Sequence, residues 1–255
     1  MSDTQTKIAI ITGGSRGLGR NTALAVAARG IDLIFTYRTN KAEAEKVAAE
    51  IKASGRKALA LQLDTGDSAS FPAFAETIAA ALRDTWGRAH FDYLVNNAGN
   101  SAPGPIATMS EAGFDGFYQV HFKGVVFLTQ KLLPLIADGG RIVNLSSGLA
   151  RFSLPGYAAY ASMKGAIEVF TRYLAKELGP RGIAANVVAP GAIETDFGGG
   201  AVRDNAELNK FVASVTAMGR VGVPDDIGPM IATLLADENR WLTGQRIEVS
   251  GGMFL

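Results

Sequence analysis

KIAIITGGSRGLGR, residues 7–20, decides the fold. Lys7 to Gly13 is a near-continuous apolar run of strand length, the pattern of a strand covered on both faces. The next residues crowd Gly13, Gly17 and Gly19 into a turn and open a helical run to about Ala28. Such a turn lets the backbone approach an anion closely. The helix start adds free N–H groups and the positive end of its dipole. Glycines alone are weak evidence, but after a strand, before a helix and at the start of a βαβ unit they predict a pyrophosphate cradle.

Outward from this turn the same alternation repeats. Apolar, β-rich runs at 31–37, 57–63, 91–97, 141–147, 182–190 and 245–252 alternate with helical segments, among them 41–51 and 71–84. Strands of this kind separated by helices predict an α/β, doubly wound, seven-stranded and mostly parallel sheet. Residues 1–255 read as a single domain, and 191–216, with GGG at 198–200, is the one long stretch without a clear element. We take it as a candidate substrate loop.

Composition narrows the function. With 47% hydrophobic and 19% charged residues, the chain can bury a sizeable core. A net charge of +1 with scattered lysines and arginines predicts no nucleic-acid partner. The absence of cysteine excludes disulfides and thiol chemistry, and His90 and His121 stand too far apart in sequence to suggest a metal site. The polar start MSDTQTK shows no secretion signal, and no apolar run approaches the roughly 20 residues of a membrane span. A cytoplasmic protein is expected.

The glycine spacing, TGGSRGLG, is T-G-x-x-x-G-x-G, and it resembles the short-chain dehydrogenase/reductase family. The resemblance continues through NNAG (96–99), Ser147, YASMK (160–164), APGAIETD (189–196) and WLTGQRIEVSGG (241–252), which together cover nearly the whole chain. The chain looks similar to the 3-oxoacyl-[acyl-carrier-protein] reductases. The resemblance implies a Rossmann fold binding a nicotinamide dinucleotide through Gly13, Ser15, Arg16, Gly17, Leu18 and Gly19. It implies further that Asp64 contacts adenine, that Asn96, Ala98 and Gly99 line the adenosine side, and that Thr195 bonds the carboxamide beside Pro190, Gly191 and Ile193.

The second strand carries no acid at its end for the adenosine ribose; Tyr37 and Arg38 stand there, and Arg16 lies in the glycine turn. Two guanidiniums suit a 2′-phosphate, because arginine makes bidentate, charge-assisted bonds to its oxygens. NADP(H) is therefore the expected cofactor.

Two tyrosines, Tyr157 and Tyr160, precede Lys164. Reduction of a carbonyl needs a proton donor at the developing alkoxide, and a nearby ammonium lowers the pKa of a phenol. On a helix, four residues rise about 6 Å and seven about 10.5 Å, so Tyr160 is the better partner of Lys164. LPG at 154–156 also places Tyr157 at the helix entry. In the family the pair forms the Y-x-x-x-K motif, both residues also touch the cofactor, and Ser147, thirteen residues earlier, is the matching serine that holds the substrate oxygen.

The family's asparagine in the helix after the fourth strand is replaced here by His121, in QVHFKGVVF (119–127). Histidine either takes the asparagine's place in a proton relay or packs with a satisfied hydrogen bond; a relay with an ordinary pKa near 6.5 predicts a steeper pH dependence below neutrality. The expected function is hydride transfer from NADPH to a ketone, aldehyde or 3-oxoacyl carbonyl, with Tyr160 as proton donor. The alternatives are an enoyl reductase using Tyr157 and Lys164 in a Y-x6-K spacing, or an NADPH-binding sensor without turnover. Leu149, Phe152, Leu154, Tyr157, Phe197 and Phe211 suggest an apolar small-molecule substrate. Family members are commonly tetramers that pair long helices, here 114–136 and 158–178, and Phe117, Val125, Val169 and Phe170 are interface or core candidates.

Overall fold

The computed structural model describes residues 6–255. The first five residues, part of the start read as lacking a secretion signal, lie outside them. Seven strands, β1 (Ile8–Ile11), β2 (Asp32–Tyr37), β3 (Ala58–Gln62), β4 (Phe91–Asn96), β5 (Ile136–Leu145), β6 (Ala184–Pro190) and β7 (Arg246–Val249), form one sheet. Their order is β3-β2-β1-β4-β5-β6-β7 and every pairing is parallel. The helices are α1 (Gly17–Ala28), α2 (Lys41–Ala53), α3 (Phe71–Trp86), α4 (Glu111–Tyr118), α5 (Gly124–Leu132), α6 (Ala158–Leu178), α7 (Ala201–Asp204), α8 (Ala206–Ser214) and α9 (Gly228–Leu234).

Alternation along the strands builds two cores. Ala9, Ile11, Leu33 and Phe35 face α1, α2 and α9, meeting Val26, Val47 and Ile231. Ile8, Ile10 and Ile34 face α3, α5 and α6, meeting Ile78, Leu128 and Leu174. A fully buried side chain such as Phe35 contributes about 1.5–3 kcal/mol. Helix ends follow local chemistry: Asn40 Oδ1 accepts the Glu43 N–H at 3.1 Å and starts α2.

Two expectations shift. β5 begins at Ile136 rather than 141, taking in a DGG segment that reads as a turn. The register against β4 slips there, and the buried Arg141 guanidinium donates to the Gly139 and Gly140 carbonyls, satisfying groups the irregularity would otherwise orphan. The long helix expected over 114–136 is interrupted by a π turn at Gln119–Lys123 and ends at Leu132, ahead of Pro134. The chain winds from β1 to one edge and from β4 to the other. The carboxyl ends of β1 and β4 therefore flank the switch point where such sheets open a cleft.

Candidate active site

A cleft of about 590 Å3 lies there. On one side the glycine turn is tied to the turn after β4. Thr12 Oγ1 accepts the N–H groups of Asn97 and Ala98 at 3.0 and 2.9 Å, and Asn97 Nδ2 donates to the Thr12 carbonyl at 2.9 Å. Gly17 has φ +53°, and a Cβ at Gly19 would run into the Gly13 carbonyl. The turn is thus pressed flat, leaving its backbone and the α1 N-terminus facing the cleft. That shape fits a dinucleotide pyrophosphate.

Most residues assigned to the cofactor line this cleft: Gly13 to Gly19 except the buried Gly14, Arg38, Asp64, Ala98, Gly99, and Pro190, Gly191, Ile193 and Thr195 after β6. Arg20 pairs with Glu50 and Arg56 approaches Asp32, whereas Arg16 and Arg38 have no carboxylate partner among the described residues. Two unpaired guanidiniums at the cleft edge fit a phosphate on the adenosine ribose.

Two assignments need correction. Tyr37 is buried in the core beside α2 and does not line the cleft, because the final inward position of β2 points its ring away from solvent. Asn96 is buried too, and its amide donates to Thr129 Oγ1 at 3.0 Å and Asn144 Oδ1 at 2.8 Å, so its side chain braces β4 against β5. The NNAG asparagine that lines the cleft, beside Ala98 and Gly99, is Asn97, which the motif contained and the assignment passed over. Thr36, whose Oγ1 accepts the Gly13 N–H at 3.1 Å, and Asn40 also border the cleft without having been singled out.

The other end of the cleft belongs to α6. Tyr157 stands at the N-cap, at the helix entry as expected, and Tyr160 and Lys164 follow on the buried stripe one turn apart. Lys164 Nζ is 5.5 Å from the Tyr160 ring centroid and donates to the Leu145 carbonyl at 2.7 Å. Ser147, just past β5, lines the cleft together with Tyr160, and its Oγ accepts the Leu149 N–H at 3.2 Å. Ser146 points the opposite way, donating to Glu168 at 2.6 Å.

Burial governs these groups. It pushes the Lys164 ammonium down to about 7. It holds the Tyr160 phenol above its ordinary value, against a smaller opposing pull from Ser147. The sequence predicted an ammonium that acidifies the tyrosine; here burial is the dominant influence on both groups. Tyr160 is therefore protonated at neutral pH.

His121 is 1% exposed, brought inward by the π turn. Its ring meets the Tyr160 ring edge-on at 5.1 Å and packs against Phe117 at 5.9 Å. Nε2 lies 2.8 Å from the Asn100 carbonyl, while the buried Nδ1 has no partner among the described residues. Burial first, and the Lys164 charge second, lower its pKa to about 3. The imidazole is neutral throughout the physiological range, so the steep pH dependence expected of an ordinary histidine has no titrating group here.

Beyond Tyr160 the cleft wall is apolar. Leu149, Phe152, Leu154, Tyr157, Phe197 and Phe211 all line it, with the Phe197 ring 6.0 Å from the Tyr160 ring. Leu208, Val212 and Met253 complete the wall. Met253 gave no sequence signal, since it arrives by the C-terminal tail folding back, Phe254 stacking on Phe152 at 4.7 Å. Of the interface candidates, Val169 is exposed, whereas Phe117 packs toward His121 and Tyr160 and Phe170 packs against the core. Val125 is half-buried.

A family model described as Enoyl-(Acyl carrier protein) reductase matches residues 13–254. The chain is 35% identical over 252 residues to a 3-oxoacyl-[acyl-carrier-protein] reductase of Staphylococcus aureus, covering 98% of this chain and 99% of that one. It belongs to the short-chain dehydrogenase/reductase family. Among solved family structures it is similar to the reductase LugOII, described as catalysing keto-reduction at C1 during lugdunomycin biosynthesis. The TM-score is 0.93 at 36% identity, covering 98% of this chain and 99% of that one. The angucycline C-6 ketoreductase LanV with bound NADP matches with a TM-score of 0.93 at 33% identity, covering 98% and 96%.

Proposed function

We propose that this short-chain dehydrogenase/reductase uses NADPH to reduce an apolar ketone to a secondary alcohol, with Tyr160 as the proton donor. The observation that carries the reading is a buried phenol, Tyr160, sharing the cleft with Ser147 and standing between a phosphate-binding turn and an apolar wall. NADPH, when bound, supplies the hydride to the carbonyl carbon. Ser147 and Tyr160 converge on the substrate oxygen; the phenol gives up its proton as charge develops, and the serine hydroxyl stabilises the alkoxide. Lys164 stands beside the phenolate so formed and stabilises it when protonated. A phenol held protonated favours reduction over the reverse reaction, which needs a phenolate base. His121 serves as a neutral polar wall beside Tyr160 and moves no proton by charging.

Arg16 and Arg38 support NADPH over NADH, as does the NADP bound in the LanV structure. The name of the matching family model raises the enoyl-reductase reading, but Tyr157 stands at the helix N-cap while Tyr160 lies on the buried stripe beside Lys164. We further infer that residues 191–216 form a substrate loop, supported by the places of Phe197, Leu208 and Phe211 in the wall. A homotetramer is supported by exposed Phe114, Tyr118 and Phe127 along α4 and α5, and Val169 and Tyr173 on α6. Among the described residues no helix is long and apolar enough to cross a membrane, and the lack of cysteine suits the cytoplasm.

The test is NADPH oxidation with a panel of apolar ketones beside 2-enoyl thioesters. Ketone turnover that is lost in Tyr160→Phe supports the proposal. Turnover of enoyl substrates alone, lost only in Tyr157→Phe, overturns it; tight NADPH binding without any turnover points to the sensor.

A further inference from the structure

Ser147 lies beyond the last ladder position of β5, and the reverse side of the Ser146–Ser147 pair is gripped by charge. Glu168, one turn after Lys164 on α6, accepts the Ser146 hydroxyl at 2.6 Å and Arg246 Nε at 2.7 Å on the same carboxylate oxygen. Arg246, the first residue of β7, reaches the Ser147 carbonyl through Nη2 at 3.4 Å and Glu248 through Nη1 at 2.8 Å. Glu248 takes two further bonds of 2.8 Å from Arg151, which also donates to the Met253 carbonyl at 2.8 Å. The network thus joins the helix bearing Tyr160, the end of β5, the last strand and the tail that walls the cleft.

From this geometry we infer that Arg246 and Glu168 are positioning residues that hold Ser147 in register with Tyr160. Glu168 fixes the distance between the serine pair and α6 through the Ser146 hydroxyl, and the Arg246 fork fixes the orientation of the Ser147 peptide. The side chains of Glu168 and Arg246 are only 15% and 23% exposed. A shielded ion pair is a costly way to gain stability compared with apolar packing, but the three guanidinium nitrogens, each on a different partner, define an angle that apolar contacts do not. Misplacing a catalytic group by about 1 Å can cost on the order of 10²-fold in rate. The inference rests on Ser147 holding the substrate oxygen.

The experiment is a double-mutant cycle with an accepted ketone, recording kcat, KM for NADPH and Tm. Arg246→Gln is expected to lower kcat about tenfold with KM for NADPH within about twofold, and to change kcat less than about twofold in a Ser147→Ala background. Arg246→Lys keeps a charge on Glu168 but loses the fork. It is expected to retain the Tm and show a similar kcat loss, so it carries the same cycle if Arg246→Gln fails to fold. Wild-type kcat in both single variants, or an equal loss in both backgrounds, overturns the inference. If Ser147→Ala alone leaves kcat unchanged, the serine's role fails and the inference falls with it; a damaged Ser147→Ala with an additive Arg246 effect removes the inference alone.

Discussion

At the glycine turn the protein offers backbone: residues 13–19 bring amide groups, a helix end and Arg16 to the cleft, with Arg38 beside them after β2. At the start of α6 it offers side chains, with Tyr160, Lys164 and His121 all buried and their protonation set by desolvation. The first region is close-packed, with no room for a side chain at Gly19 beside the Gly13 carbonyl. The second is chemically poised because ionisable groups stand where water would have stabilised different forms. Binding and chemistry are thus separated along one cleft, and substitutions at the two ends should fail in different ways.

The largest effect belongs to the chemical end. Tyr160→Phe should lower ketone reduction about 10²–10⁴-fold, while NADPH affinity by fluorescence titration stays within a few-fold. Tyr157→Phe should cost less than about tenfold by the same assay. Next comes the backbone end, where Gly19→Ala forces a methyl group against the Gly13 carbonyl. It should weaken NADPH binding at least about tenfold, a loss of about 1.4 kcal/mol, without shifting the pH profile of the residual rate. Arg38→Ala should narrow the preference for NADPH over NADH about tenfold to 10²-fold, read as the ratio of kcat/KM values, since a bond to a charged group is worth about 1.5–3 kcal/mol.

Lys164 separates the two ends by stability. Its folded value of about 7 lies below the ordinary 10.5. Between those values the unfolded chain binds a proton the folded chain does not, so stability from this group rises with pH; below about 7 both states are charged and the burial cost is borne in full. Lys164→Met should therefore be inactive yet melt higher near neutrality, with the Tm difference from wild type shrinking toward the ordinary lysine value. The smallest effect is at His121: a ring with a pKa of about 3 adds no limb near neutrality. The pH–rate profile of His121→Asn should overlay that of wild type around pH 7, apart from a uniform scale factor.

The same contrast explains what the sequence disclosed. The parallel sheet, the bounds of α1 and α6 and the glycine cradle were legible because local spacing and periodicity encode them. The pairing of Tyr160 with Lys164 followed from helical rise. What escaped depends on distant packing. Tyr37 and Asn96 sit in motif-bearing stretches but turn into the core, Tyr37 among apolar side chains and Asn96 onto Asn144 and Thr129. The π turn that carries His121 inward has no sequence signature, and Met253 reaches the wall through the tail. Protonation was the least legible property, since charge spacing suggests attraction while burial decides the outcome.

Titration of Lys164 by NMR, using lysine labelled at the ε-carbon and Lys164→Met for assignment, tests the governing role of burial most directly. A midpoint near 7 is the result this account predicts. A lysine that stays protonated up to its ordinary value of 10.5 would contradict it.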